Sequence, residues 1–328
     1  MHLCKRLLFC SLLTVVFVMS GCKKDAGTVS GRANRLGFIL GNNFNLTLFN
    51  VGLTYTHYSD TLLQTGPYTV LAPSDKAFQA AGYANAVAMQ ALGAKLWPLM
   101  SYHILGGYYP LDQLPFQFNQ ELRTLGGASM YVTHWIKNKD TVITINGARV
   151  VSVNQPGSNG LIQVLDQVLS PSLYGTVQGA IGADPRLTFF NAALLRSGMA
   201  VTLQGKGPYT VFAPTNEAFK ALGFPSADSI NQTDPSVLAG MLNFHILTGR
   251  RFINDYILTT DGSKVSKQAM LNGNNVTIKL LAGSTPGSYS GISLQGSGNI
   301  VPASLVATNV LAGNGVLHCI DQVLKEQY

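Results

Sequence analysis

Six histidines and four cysteines are the residues of this 328-residue chain best suited to acid–base, nucleophilic or metal chemistry. They are His2, His57, His103, His134, His245 and His318, with Cys4, Cys10, Cys22 and Cys319. No Gly-x-Ser-x-Gly, Walker A, His-Glu-x-x-His or Cys-x-x-Cys pattern occurs. Neither an activated serine, a phosphate cradle nor a paired metal-ligand motif is therefore expected. The chain reads as a non-enzyme with no cofactor and no metal site. Its basic residues do not cluster either, the densest pairs being Lys23-Lys24 and Arg250-Arg251, so no nucleic-acid partner is expected.

Two places point to binding instead. Residues 130–136, MYVTHWI, alternate as a strand does. If Met130, Val132 and Ile136 face a core, then Tyr131, Thr133 and Trp135 share the opposite face. Two aromatics there would stack on sugar rings or anchor a protein partner; alternatively, a helix or the other half of the chain covers that face. The second place is the Gly/Ser-rich run Ala282–Gly291, which carries Tyr289. It reads as a loop, and loops on a rigid scaffold commonly carry recognition.

What must position these residues is read from composition and repeats. Hydrophobic residues make up 46% of the chain and charged ones 11%. That charge content is well below the roughly 25% of an ordinary soluble domain. The surface is thus polar but sparsely charged, which suits an exported protein. The length sets a prior of about two domains.

Residues 1–22 read MHLCKRLLFCSLLTVVFVMSGC. Lys5-Arg6 precede an apolar run of 12 residues, Leu7 to Val18, too short to span a bilayer and of the length of a secretory signal. Met19-Ser20-Gly21-Cys22 resembles the lipobox of bacterial lipoproteins, which implies lipidation of Cys22 after removal of residues 1–21. The alternative is an ordinary secretory signal with a chance cysteine. Acyl chains would hold the protein on the membrane. Cys22-Lys23-Lys24-Asp25 resembles surface lipoproteins of the Bacteroidetes type, so the expected location is the outer membrane, facing the exterior or the periplasm. Residues 22–35 read as a flexible tether. Cys319 is then the remaining thiol, expected as a small buried hydrophobe.

The rest of the chain repeats. GPYTVLAPSDKAF at 66–78 recurs as GPYTVFAPTNEAF at 207–219, an offset of 141. Tyr102-His103-Ile104-Leu105 matches Phe244-His245-Ile246-Leu247 at 142, and NGLIQVLDQVL at 159–169 matches NGVLHCIDQVL at 314–324 at 155. Three blocks in one order make the chain a duplication. The growing offset predicts an insertion of 13 residues in the second copy, placed at Ala282–Gly291. The domains are read as 36–170 and 171–328, with Pro171 stiffening the joint. Ser74 and Thr215 are expected N-caps, and the closing block a buried strand.

These blocks resemble the fasciclin domain, in its Thr-Val-Phe-Ala-Pro-Thr-Asn-x-Ala-Phe, Tyr-His and Asn-Gly-x-Ile-His-x-Ile-Asp-x-Val-Leu motifs, and cover nearly the whole exported chain twice. The resemblance implies an α+β fold, a helical first half packed on a β-sandwich-like wedge, repeated in tandem. It implies adhesion or surface binding, with a protein or polysaccharide as partner. In some animal members the Tyr-His region is implicated in receptor binding, which makes Tyr102, His103 and His245 candidate contacts. An accessory subunit of an outer-membrane assembly, or a glycan-binding auxiliary of a TonB-dependent importer, are the roles expected.

Overall fold

The computed structural model describes residues 33–327; the signal-like segment, Cys22 and most of the expected tether lie outside the described residues. Within the stretch read as tether, Asn34 is already fixed: its carbonyl accepts the Ser158 N–H at 2.7 Å, and the Arg35 guanidinium donates to the Leu63 carbonyl.

The first copy forms β1 (Tyr68–Pro73), β2 (Ile104–Leu105), β3 (Gln117–Arg123), β4 (Ser129–Lys137), β5 (Asp140–Ile145), β6 (Ala148–Gly157) and β7 (Gly160–Leu165). The second forms β8 (Tyr209–Pro214), β9 (Ile246–Thr248), β10 (Val265–Ala269), β11 (Asn275–Ala282), β12 (Tyr289–Gln295), β13 (Ala303–Ala312) and β14 (Gly315–Ile320). Each set makes one seven-stranded sheet, ordered β2-β1-β7-β6-β5-β4-β3 and its equivalent β9-β8-β14-β13-β12-β11-β10. The closing block of each copy is an interior strand, third from one edge. It pairs in parallel with the strand of the Gly-Pro-Tyr-Thr-Val block, Tyr68 opposite Gly160 and Tyr209 opposite Gly315.

The sequence of β1 explains the architecture. Both its faces are buried, because it lies between two cores. Val70 and Ala72 point into the helical layer with Phe49, Phe78 and Met100. Leu71, one residue out of phase, joins Leu105, Met130, Val132, Ile143, Ile145 and Leu165 in a second core. That core takes side chains from both ends of the sheet, so β3–β5 fold over onto β1 and β7. The fold-over is possible because β5 and β6 share only two residue pairs, Thr144–Arg149 and Ile145–Ala148. Beyond them β6 bulges around Asn154, whose φ is +53°, a conformation that Asn tolerates better than most residues. This is the helix-plus-wedge α+β fold implied by the sequence, built twice.

The shared motif residues are used by the backbone. Ser74 accepts the Ala77 N–H and Thr215 the Ala218 N–H, as N-caps. Asp75 reaches back to accept the Leu48 N–H at 2.8 Å, and Asn216 does the same for Phe189 at 3.0 Å. Asn159 accepts from Leu36 N–H and donates to the carbonyls of Leu62 and Gln64; Asn314 repeats this with Val177, Leu203 and Gly205. Cys319 is buried, and burial pushes its thiol up to about 11, so it packs rather than reacts.

The extra residues of the second copy do not sit in one loop. The β4–β5 hairpin turns on residues 138–139 and its counterpart on 283–288; the β5–β6 turn occupies 146–147, and its counterpart follows the Leu294–Ala303 pair across 295–302. The helix Ile253–Thr259 also stands where the first copy has a short 3-10 turn, Leu111–Gln113. The single insertion expected at Ala282–Gly291 is thus spread over three places. An offset fixes only the total.

Candidate binding site at the domain junction

The outward face of β4 is where Tyr131, Thr133 and Trp135 were expected to meet solvent or a covering element. The second domain covers it. The guanidinium of Arg250 lies 3.8 Å from the centre of the Tyr131 ring, a cation–π distance. Thr133 donates to Asp255 Oδ1 at 3.1 Å. Trp135 packs against Phe118 with ring centres 4.6 Å apart, and Arg251 lies over that same Phe118 at 5.7 Å. Lys137 donates to the Thr260 carbonyl. Tyr131, Thr133 and Lys137 therefore dock on the helix Ile253–Thr259 and the residues flanking it, while Trp135 stacks on Phe118 of its own domain. On the opposite face, Met130 and Val132 are buried as expected, but Ile136 is 49% exposed, because β4 runs past the end of the wedge core.

Two residues of the second domain hold the joint. Arg250 is buried and donates to three carbonyls of the β13–β14 turn, Ala312 at 3.1 Å, Gly313 at 3.0 Å and Gly315 at 2.8 Å. No carboxylate lies within ion-pair distance of it among the described residues. Its charge is met by carbonyl dipoles and the Tyr131 ring instead. Asp255 accepts the Phe252 N–H at 2.8 Å, the Asn119 amide at 3.2 Å and the Thr133 hydroxyl. Burial nevertheless pushes its carboxyl up to about 6. Asn119 reaches it from a bulge in β3 where φ is +56°, and also donates to the Arg250 carbonyl at 2.8 Å. The matching position to Arg250 in the first copy is the exposed Tyr108, so the latch belongs to the second copy alone. In the sequence Arg250-Arg251 stand out only as a basic pair. The signal available there was the contrast with Tyr108-Tyr109.

Beside this seam a cleft of about 380 Å³ opens between the domains, lined by Arg149 and Asp166 from the first and Asn254, Tyr289 and Asn309 from the second. Asp166 Oδ1 accepts the Arg149 N–H at 2.7 Å, and burial raises its pKa. Tyr289 is half-buried at the cleft wall. The structure thus brings Tyr289 to residues of the other domain, and separates it from Tyr131 and Trp135, which lie within the seam. The mix of one aromatic face with few polar groups is that of a site for a small polar ligand.

The Tyr-His block faces no solvent. His103 donates from Nδ1 to the Leu99 carbonyl at 2.8 Å and accepts the Leu169 N–H at Nε2 at 3.0 Å. His245 repeats the pair with Met241 and Leu324 at 2.8 and 2.9 Å. Accepting an amide proton at Nε2 fixes the neutral tautomer, and burial holds both imidazoles down at about 4. Tyr102 is also buried; it donates to the Ser129 carbonyl at 2.8 Å and accepts from the Asn146 amide at 2.7 Å. As candidate contacts, Tyr102, His103 and His245 are displaced by their burial: the two histidines join the last helix before β2 or β9 to the chain that follows the closing strand, and Tyr102 joins that helix to β4 and the β5–β6 turn. His318 accepts from Asn309 N–H and donates to the Arg251 carbonyl; Gln163 in the first copy accepts from Asn154 N–H and donates toward the Tyr109 carbonyl. The two side chains differ in type and agree in their bonds.

No group of three or more metal-ligating side chains occurs among the described residues, and no described helix is long and apolar enough to cross a membrane.

The model of the fasciclin domain matches residues 45–171 and again 185–326. The chain is similar to transforming growth factor-beta-induced protein ig-h3 of Sus scrofa, 27% identical over 296 residues, 86% of this chain and 39% of that protein. It is similar to periostin of Homo sapiens, 31% identical over 195 residues, 60% of this chain and 21% of that one. Protein sll1483 of Synechocystis sp. is 28% identical over 162 residues, 49% of this chain and 78% of that protein. Among solved structures, the domain pair from the insect cell adhesion molecule Fasciclin I matches with a TM-score of 0.41 and 19% identity, covering 85% of this chain and 96% of that one. The chain spans less than half the length of the first two relatives. Two copies of one domain model over most of its length settle the family: this chain is a member of the fasciclin-domain proteins.

Proposed function

We infer that the protein is a non-catalytic binding or adhesion protein of the cell surface, held to the outer membrane through Cys22. One observation carries the reading. The pairs His103 and His245, Asn159 and Asn314, and Asp166 and Asp321, repeated in both copies, are bonded to backbone, which leaves exposed surface, and the cleft at the latched joint, to meet a partner. The fasciclin resemblance implies the same class of role, and the lipobox-like segment supplies the anchor. Attachment to a larger outer-membrane assembly fits a rigid two-domain body on a short tether.

A glycan-binding auxiliary of a nutrient importer is the second reading. The cleft favours it, since Tyr289 with Arg149, Asp166 and Asn254 offers a ring face and hydrogen-bonding groups together. The anchoring prediction separates location from role. Cys22→Ser should move the chain from the membrane to the soluble fraction, and cells should lose the surface attachment the parent chain confers. An unmodified Cys22 in the intact mass of the membrane-bound chain would refute the anchor. Attachment that persists after release would refute the adhesive role.

A further inference from the structure

The two copies differ most informatively at a place that neither folding nor the joint explains. The helix Thr47–Tyr55 ends in Thr56, followed by His57 with φ +59°. The matching helix Thr188–Ser197 ends with Gly198 at φ +77°. This left-handed position terminates a helix and favours glycine. A histidine there bears a strain that glycine avoids, and strained non-glycine residues concentrate at functional sites. The His57 N–H closes the preceding helix on the Thr54 carbonyl at 3.2 Å, a bond that glycine would make equally well, and its side chain forms no cap hydrogen bond. Its side chain stands in solvent, 3.6 Å from Asp60.

Beside it is Trp97, 44% exposed. The His57 and Trp97 ring centres are 6.4 Å apart, and Tyr58 meets Trp97 edge-on at 6.1 Å. Tyr58 is packed on the helical core and so fixes the indole from one side. At the matching positions the second copy has Gly198, Met199, Val201 and Ala239 in place of His57, Tyr58, Asp60 and Trp97. It folds into the same helices without them, so the fold does not require this cluster.

We propose that Trp97, with His57, Tyr58 and Asp60 around it, is a binding site for a saccharide ring. The chemistry is specific. A half-exposed indole held in place by Tyr58 gives a flat, electron-rich face for the C–H groups of a pyranose. His57 and Asp60 lie at its side as hydrogen-bonding groups for ring hydroxyls, the sparse polar complement that orients a ligand. A protein hot spot would instead lie in a well-packed pocket ringed by contacts that exclude water, and here the flanking side chains of His57 and Asp60 are polar and largely exposed. The site stands apart from the junction cleft and holds whether or not that cleft takes a ligand.

The test uses the full chain, solubilised in mild detergent, on columns of immobilised starch, mannan, xylan and β-glucan, with gelatin as a protein matrix. At least one polysaccharide should retard the parent chain. Trp97→Ala, which installs the residue already present at position 239, should weaken that retention about tenfold or more with little change in melting temperature. His57→Gly should also weaken retention, while the melting temperature holds or rises as the left-handed strain is relieved. The second variant keeps the test decisive if the first fails to fold, because glycine is the residue the matching position already uses. No retardation on any polysaccharide, retention unchanged in Trp97→Ala, or retention confined to gelatin would each overturn the proposal. None of these results bears on the release test with Cys22→Ser.

Discussion

Arg250→Ala should lower the melting temperature by about 10 °C and free the two domains from each other. The side chain is buried with three charge-assisted bonds to the Ala312, Gly313 and Gly315 carbonyls and lies on the Tyr131 ring. Truncation orphans those carbonyls and removes the ring's partner across the joint. The combined loss is on the order of 3–5 kcal/mol. Arg250→Lys should recover only part of it, because one ammonium cannot serve three carbonyls in the geometry of a planar guanidinium. Thermal melts of both variants, with proteolysis mapped by mass, provide the check. Arg250→Ala that melts like the parent, without new cleavage near residue 171, would show the latch to be incidental.

The second large effect is acid destabilisation between pH 7 and 5. Burial holds His103, His245 and His318 at about 4, against roughly 6.5 in the unfolded chain. A folded value below the unfolded one means the unfolded state takes up protons first. Stability is therefore full above pH 6.5, declines as pH falls from 6.5 toward 4, and levels off below. At pH 5 each histidine accounts for a loss of about 2 kcal/mol. Asp255 works in the opposite direction. Its folded value of about 6 lies above the unfolded one, so the cost of its burial is relieved as pH drops through 6, returning about 1 kcal/mol at pH 5. The net expectation is a loss of about 4–5 kcal/mol, seen as a melting temperature lower by roughly 10 °C. His318→Gln sharpens the test. Gln163 makes the equivalent bonds in the first copy, so the variant should keep its stability at pH 7 and lose its share of the acid sensitivity. His103→Ala should instead be less stable at pH 7, since it orphans the Leu169 N–H, with a deficit that narrows toward pH 5 as the parent loses the share that the variant no longer carries. A melting temperature that is flat or rising toward pH 5 would contradict the assignment of these histidines as buried and neutral.

The duplication, the N-caps Ser74 and Thr215, the buried closing strand and the packing of Cys319 were legible in the sequence because each is a local pattern or a direct comparison of copies. The outer face of β4 was not. Alternation places Tyr131, Thr133 and Trp135 together, but what covers them depends on a helix that begins more than a hundred residues later and on a bulge at Asn119. Parallel pairing of β1 with β7 likewise joins segments distant in sequence. The histidines show the converse. A shared Tyr-His block draws attention as a site, yet the residue type says nothing of burial, and its repetition reflects the fold. Trp97 and His57 were open to discovery by comparing the copies. Gly198 marks the left-handed position that His57 occupies in the other copy, and Ala239 marks a helix position where the fold needs no aromatic side chain.

Calorimetry of the parent chain at pH 7 tests most directly whether the two fasciclin domains unfold as one unit. The seam of Tyr131–Arg250, Thr133–Asp255 and Asn119–Asp255 contacts predicts a single transition, with calorimetric and van't Hoff enthalpies agreeing for the whole chain. Two resolved transitions in the parent, each with the enthalpy of about 140 residues, would show independent domains on a loose joint and contradict it.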